Sequence, residues 1–204
     1  MQTMEQQTTD QLVSAALQQA MTYESYRNYI DTHATNESSS GPEQSEALTN
    51  YTMLNQRRMK RLDKTLKLSE TAAATIKNFD GDVTWLVLTE TWCGDAAQSM
   101  PMMQKIAGLN EGITVKVILR DEHPEVMDQF LYNGSRSIPK LIAVDNKTHT
   151  VIGDWGPRPT EATKMVNDYK EKHGGLTAEF KQDLQLWYTK DKGQNIAEDL
   201  LELL

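Results

Sequence analysis

The pentapeptide Trp92-Cys93-Gly94-Asp95-Ala96 holds the only cysteine among 204 residues. The thiolate is the nucleophile of sulfur exchange, so Cys93 is the single side chain through which this chain can bond covalently to another sulfur. A dithiol site would need a second cysteine nearby, and the residue three places on is Ala96. One cysteine excludes an internal disulfide and any zinc site built from several thiolates. His33, His123, His149 and His173 are scattered without ligand spacing. Neither a metal nor a cofactor is expected.

The elements around Cys93 follow from pattern. Val83 to Thr89 is a mostly apolar, β-branched run and reads as a central strand. Ala96 to Leu109 is helical in composition, Ile113 to Leu119 a strand, and Pro124 to Leu131 a short helix. Leu141 to Val144 and Thr150 to Trp155 are strands joined by the turn "DNKT", and Glu161 to His173 closes as a helix. In this β-α-β-α-β-β-α order the first two strands are parallel, because a helix crosses between them, and the last two form an antiparallel hairpin. Met100, Met102 and Met103 read as core packing of the helix after Cys93.

Helical patterns flank this unit. Leu12, Ala16, Ala20, Tyr23 and Ile30 form a stripe that predicts one helix over Thr9 to Ile30. The small, polar run "THATNESSSGPEQSE" then reads as a loop or linker that can hardly hold a core. A second helix is expected from Pro42 to Leu68 and a third from Glu70 to Phe79. The cluster Arg57, Arg58, Lys60, Arg61 and Lys64 reads as a solvated helix face balancing acidic neighbours, since no aromatic residue interleaves it as a single-strand binder requires. After "HGG", two short helices split at Gly193 lead to Leu200, Leu201, Leu203 and Leu204, an apolar end expected to dock on its own domain or on a second copy. The organisation expected is a helical extension over residues 1–68 with a polar linker near 35–45, a domain over 69–173, and a helical extension over 174–204.

Lys and Arg total 21 against 29 Asp and Glu, a formal charge of -8, which disfavours nucleic acid and anionic membranes as partners. No apolar run approaches the ~20 residues needed to cross a bilayer. The N-terminal "MQTMEQQTTDQ" lacks the charged-then-apolar order of a secretion signal. The cytoplasm is the expected address.

The element order with Trp-Cys-Gly at the end of its first strand resembles the thioredoxin superfamily. Pro101, eight residues after Cys93, stands where thioredoxins carry the proline of their active-site helix. "NGSRSIPKLIAVD" is similar to the family's segment ending in a cis-proline before a strand, which places Ile138 and Pro139 at that motif. Gly153 matches the glycine of the last strand, and "VILRDEHPEV" is similar to the second strand and its acidic, proline-containing turn. The resemblance covers Val83 to Lys172. It implies an α/β thioredoxin-like fold with a mixed sheet flanked by helices, to which the N- and C-terminal helical extensions are added.

On that fold Cys93 begins a helix, where unpaired N–H groups and the dipole favour the thiolate. Its alkylation is therefore expected to titrate below the free-cysteine value of about 8.5, with Asp95 opposing. The resemblance implies that Ile138-Pro139 is cis, faces Cys93 and offers backbone to an extended substrate, with Trp92, Gly94 and Asp95 completing the binding rim. Two departures limit what carries over. Ala96 cannot resolve a mixed disulfide, and the buried acid found in the family six residues before the cysteine is Val87. A full dithiol reductase is thereby excluded. The leading expectation is a monothiol site in redox homeostasis, with Cys93 forming mixed disulfides with protein or low-molecular-weight thiols. The alternative is a non-catalytic module that holds a protein partner in the cis-proline groove, and under either reading a monomer or a homodimer is expected. A glutaredoxin-like cluster carrier fits least, because Gly-Asp-Ala after the cysteine does not match that motif.

Overall fold

The computed structural model describes residues 7–204; the first six, part of the stretch read above for a secretion signal, lie outside the described residues. In chain order the elements are α1 (Thr9–Leu17), β1 (Met21–Thr22), α2 (Tyr23–Thr35), α3 (Glu46–Thr65), α4 (Glu70–Asn78), β2 (Val83–Thr89), α5 (Gly94–Ala107), β3 (Ile113–Leu119), α6 (Pro124–Met127), β4 (Lys140–Asp145), β5 (Thr150–Trp155), α7 (Thr160–His173), α8 (Ala178–Asp191) and α9 (Gln194–Leu201). The sheet runs β1-β3-β2-β4-β5. β2 is parallel to β3 and antiparallel to β4, and β4 is antiparallel to β5, the crossover and hairpin expected from the element order.

β2 lies at the centre of the sheet, and all seven of its residues are buried, which is why it reads as a mostly apolar run. Met100, Met102 and Met103 on α5 are fully buried behind it. No described helix is long and apolar enough to cross a membrane.

The stripe from Leu12 to Ile30 is not one helix. α1 ends at Leu17, and Met21 and Thr22 pair antiparallel with Val117 and Lys116 on the edge of β3. The Thr22 hydroxyl then caps α2 by accepting the Ser25 N–H, so a cap signal inside the stripe restarts the helix. Both helices turn an apolar face to the same core, with Val13, Ala16, Tyr26 and Ile30 buried, and the spacing therefore carries across the break.

The polar run between α2 and α3 is a loop, yet Ser39 and Ser40 within it are buried. At the other end, the apolar C-terminus docks on the chain itself. Ile196, Ala197 and Leu200 of α9 are buried, and Asp199 accepts hydrogen bonds from Trp155 Nε1 and the Thr160 backbone. Leu203 lies against Gly153, where a Cβ would come within 3.0 Å of it.

Candidate thiol site

β2 ends at Thr89, and a turn through Glu90, Thr91 and Trp92 delivers Cys93 as the N-cap of α5. The Cys93 sulfur accepts the Ala96 N–H at 3.4 Å, and its thiol donates to the Ile138 carbonyl at 3.3 Å. The Ile138-Pro139 peptide is cis, immediately before β4. Cys93, Ile138 and Pro139 are all buried. Trp92 is half-buried, with the Arg120 guanidinium 5.0 Å from its ring centroid. Gly94 and Asp95 open the helix. Five of the six site residues named from sequence thus meet on one loop and one facing strand start, and the sixth, Asp95, turns inward rather than toward solvent.

Asp95 is held by the C-terminal half of the chain. Its carboxylate pairs with the Arg158 guanidinium at 2.7 Å and accepts the Tyr188 hydroxyl at 3.0 Å, and its side chain is only 12% exposed. Arg158 reaches it because Gly156, at φ 118°, passes so close to Pro139 that a Cβ there would lie 2.2 Å from the proline carbonyl oxygen. Only glycine fits both that φ and that gap. Tyr188 arrives from α8, so the C-terminal extension roofs the turn that carries the thiol.

The electrostatics reverse the expected acidity of Cys93. Burial, and next the Asp95 carboxylate, push the thiol up to about 12, against the opposing Ala96 N–H and Arg158 charge. Position at a helix start does not suffice when the sulfur is removed from water, because desolvation disfavours the charged form. Burial likewise raises Asp95 above the usual carboxylate range, against the pull of Arg158 and Tyr188. Tyr188 is raised by burial and by Asp95. Cys93 therefore rests as a neutral thiol.

The turn before Cys93 is pinned by residues that precede β2, in the α2–α3 loop and on α3. Ser40 Oγ accepts the Thr91 N–H at 2.8 Å and donates to the Glu90 carboxylate, and Glu90 also accepts the Asp121 N–H at 2.9 Å. From α3, Thr52 bonds the Thr91 hydroxyl at 2.9 Å, and Asn55 donates to the Thr91 carbonyl at 3.0 Å. Burial raises Glu90, against the donors from Ser40 and Asp121. Arg58 is not a merely solvated cation: it donates to Asn55 at 2.9 Å and lies over Gly94.

Arg58, Arg158, Tyr188, Glu90 and Ser40 were not identified as site residues from sequence. The "WGPRP" run held a signal for Arg158, a Gly-Pro turn after a strand followed by a lone cation. Tyr188 and Ser40 sit in unremarkable helix and loop composition, and only the fold brings them near residue 93. Val87 is fully buried between Val117 and Leu141, so an apolar side chain fills the position where the family keeps an acid. Among the described residues, no group of three or more His, Cys, Asp or Glu is placed to hold a metal ion.

The model of the thioredoxin family matches residues 41–170. The chain belongs to that family. Its match begins at Gly41, so the thioredoxin-family unit takes in α3, the helix that braces the Cys93 turn. Two solved structures share the fold. A protein of unknown function from Pseudomonas aeruginosa is 14% identical, with a TM-score of 0.63 and 97% of each chain covered. An HIV epitope-scaffold is 13% identical, with a TM-score of 0.63, 93% of this chain and 95% of its own being covered. No curated protein matches this thioredoxin-family chain in sequence.

Proposed function

We infer that the chain is a monothiol exchange module whose thiol is held in check at rest. The observation that carries this reading is the contact between the Cys93 sulfur and the Ile138 carbonyl of the cis Ile138-Pro139 peptide. A nucleophile and a backbone edge able to take an extended segment are thereby adjacent. In the reaction, Cys93 loses its proton to solvent and attacks one sulfur of a partner disulfide. The Cys93–partner S–S bond forms, and the second partner sulfur leaves as a thiolate. Ala96 offers no second attack, so an external thiol, of a protein or a small molecule, attacks the mixed disulfide and returns the Cys93 thiolate. Each cycle exchanges one disulfide for another: one partner sulfur leaves as a thiolate, the other ends bonded to the external thiol's sulfur, and the number of S–S bonds is unchanged.

A second reading is favoured by one observation, the burial of Cys93, which is 7% exposed and whose thiol is pushed up by that burial. In it the fold is kept for its groove, and the chain holds a protein without sulfur chemistry. Trapping separates the two: cells expressing the tagged chain are quenched with alkylating agent, and its adducts are resolved without reductant. Reducible adducts absent from Cys93→Ser support exchange. Equal recovery of a non-covalent partner by both forms, with no adduct, supports the holding module.

A further inference from the structure

The basic cluster on α3 is not balanced by neighbouring carboxylates. Among the described residues, none of Arg57, Arg58, Lys60, Arg61 and Lys64 makes an ion pair, in a chain whose net charge is -8. The one aspartate in the C-terminal half of α3, Asp63, is spent on Arg27 and the Tyr23 hydroxyl. At 100° per residue, Tyr51, Leu54, Arg58 and Arg61 share one flank of α3. Asn55 at its edge reaches Thr91 and Arg58 lies over Gly94, so that flank faces the start of α5 and the Cys93 turn. Tyr51 and Leu54 are each 47% exposed, large apolar side chains with no core to fill.

The flank runs into a cavity of about 400 Å³ between α3, α5 and α8. Arg61, Lys67 and Lys192 line it with Leu62, Leu66 and Tyr188, and no carboxylate does. Tyr188 is the residue whose hydroxyl holds Asp95. Asp95, the carboxylate whose charge acts on Arg58, is taken up by Arg158 and Tyr188. A larger cavity of about 660 Å³, lined by Tyr23, Asp63 and Pro101, includes none of the Cys93 turn and has the paired Asp63 in its wall.

We propose that this flank of α3 and the cavity at its end form a docking groove for an acidic, apolar-rich segment of the protein partner that meets Cys93. The proposal rests on the reading of Cys93 as the point where a partner is engaged. Carboxylates of the segment face Arg58 and Arg61, its apolar side chains cover Tyr51 and Leu54, and one side chain enters the cavity beside Tyr188. Charge complementarity identifies the occupant: unpaired cations beside exposed apolar groups fit an acidic peptide and repel a basic one.

The test removes thiol chemistry altogether. Fluorescence anisotropy is read on the full-length Cys93→Ser protein with a labelled, cysteine-free peptide of alternating Glu and Leu, and with the same peptide carrying Lys for Glu. Saturable binding of the acidic peptide only, weakening as salt rises, is expected. Arg58→Glu with Arg61→Glu should weaken it by about tenfold or more, while the charge-matched Lys170→Glu with Lys172→Glu on α7 should not. Because Arg58 bonds Asn55, a second pair at the cavity, Arg61→Glu with Lys67→Glu, keeps the test valid if the first misfolds. Equal binding of both peptides, no binding, or equal loss with the α7 pair overturns the groove. Peptide binding here, together with no reducible Cys93 adduct of the wild type in the trapping experiment, would instead overturn the thiol reading and leave the groove standing.

Discussion

Replacing Asp95 by Asn isolates the charge that opposes ionisation of Cys93. With the thiol pushed up to about 12, against about 8.5 for a free cysteine, the thiolate population at neutral pH is more than roughly a thousandfold below that of an ordinary cysteine, each pKa unit being tenfold. Burial is the larger cause and remains in the variant, while the Asp95 carboxylate, next in size, is removed. Arg158, which already lowers the thiol's value, then acts on it without a competing anion. The midpoint should fall by about one to two units, so that alkylation at pH 8 speeds up by roughly ten- to a hundredfold. The assay is the iodoacetamide rate from pH 6 to 11, followed by intact mass, with thermal melts to verify folding. Asn can still accept the Tyr188 hydroxyl, so the roof over the turn is retained. A folded variant whose rate stays within about twofold of wild type refutes the argument, since one pKa unit would already be tenfold. A rate increase whose midpoint sits at the free-cysteine value of about 8.5 also counts against it, as that marks an opened site rather than a lost charge.

Stability should depend on pH through Cys93. Below about 8.5 the thiol is protonated in both states; above it the unfolded chain loses the proton while the folded one keeps it up to about 12, so by pH 10 unfolding is favoured by about 2 kcal/mol. Buried tyrosines, Tyr188 among them, add to the loss in both forms, so urea titrations should show wild type losing about 2 kcal/mol more than Cys93→Ala by pH 10, and parallel curves would contradict the raised value. Ser40→Ala strips the buried Thr91 N–H of its acceptor and Glu90 of a donor, and should cost about 2–4 kcal/mol by chemical denaturation; a cost under ~0.5 kcal/mol would mean that the latch does not hold the turn. Ala96→Cys should form an intramolecular disulfide on oxidation, since residues three apart share a helix face, yet turn over poorly, because position 96 is 1% exposed and Val87 supplies no base. Adding Val87→Asp should speed that variant in a disulfide-reduction assay; equal rates would mean that Val87 is no functional loss.

The sheet was legible because β2 and β3 are runs of apolar, branched residues, and because a helix between parallel strands and a short turn between antiparallel ones leave few topologies. The thiol loop was legible for a different reason: Cys93, Pro101 and Ile138-Pro139 are an ordered set that the resemblance could match. What escaped was long-range. The Thr9–Ile30 stripe spans two helices because both face the same core, and periodicity does not register an interruption that preserves the face. Ser40 is 51 residues from Thr91, and Tyr188 is 93 from Asp95; neither carries a local pattern. The acidity of Cys93 was misjudged because the dipole at a helix start is a local feature readable from sequence, whereas the depth of the sulfur and the inward turn of Asp95 depend on packing from α3 and α8.

The most direct test of single-thiol exchange is the mass of the folded protein during incubation with excess glutathione disulfide at pH 8. One glutathione adduct per chain should accumulate slowly, at Cys93 only. It should be absent from Cys93→Ser and be released by added thiol. No adduct on the folded wild type, under conditions where the urea-unfolded chain is fully modified, would contradict exchange and leave a protein that holds its partner without sulfur chemistry.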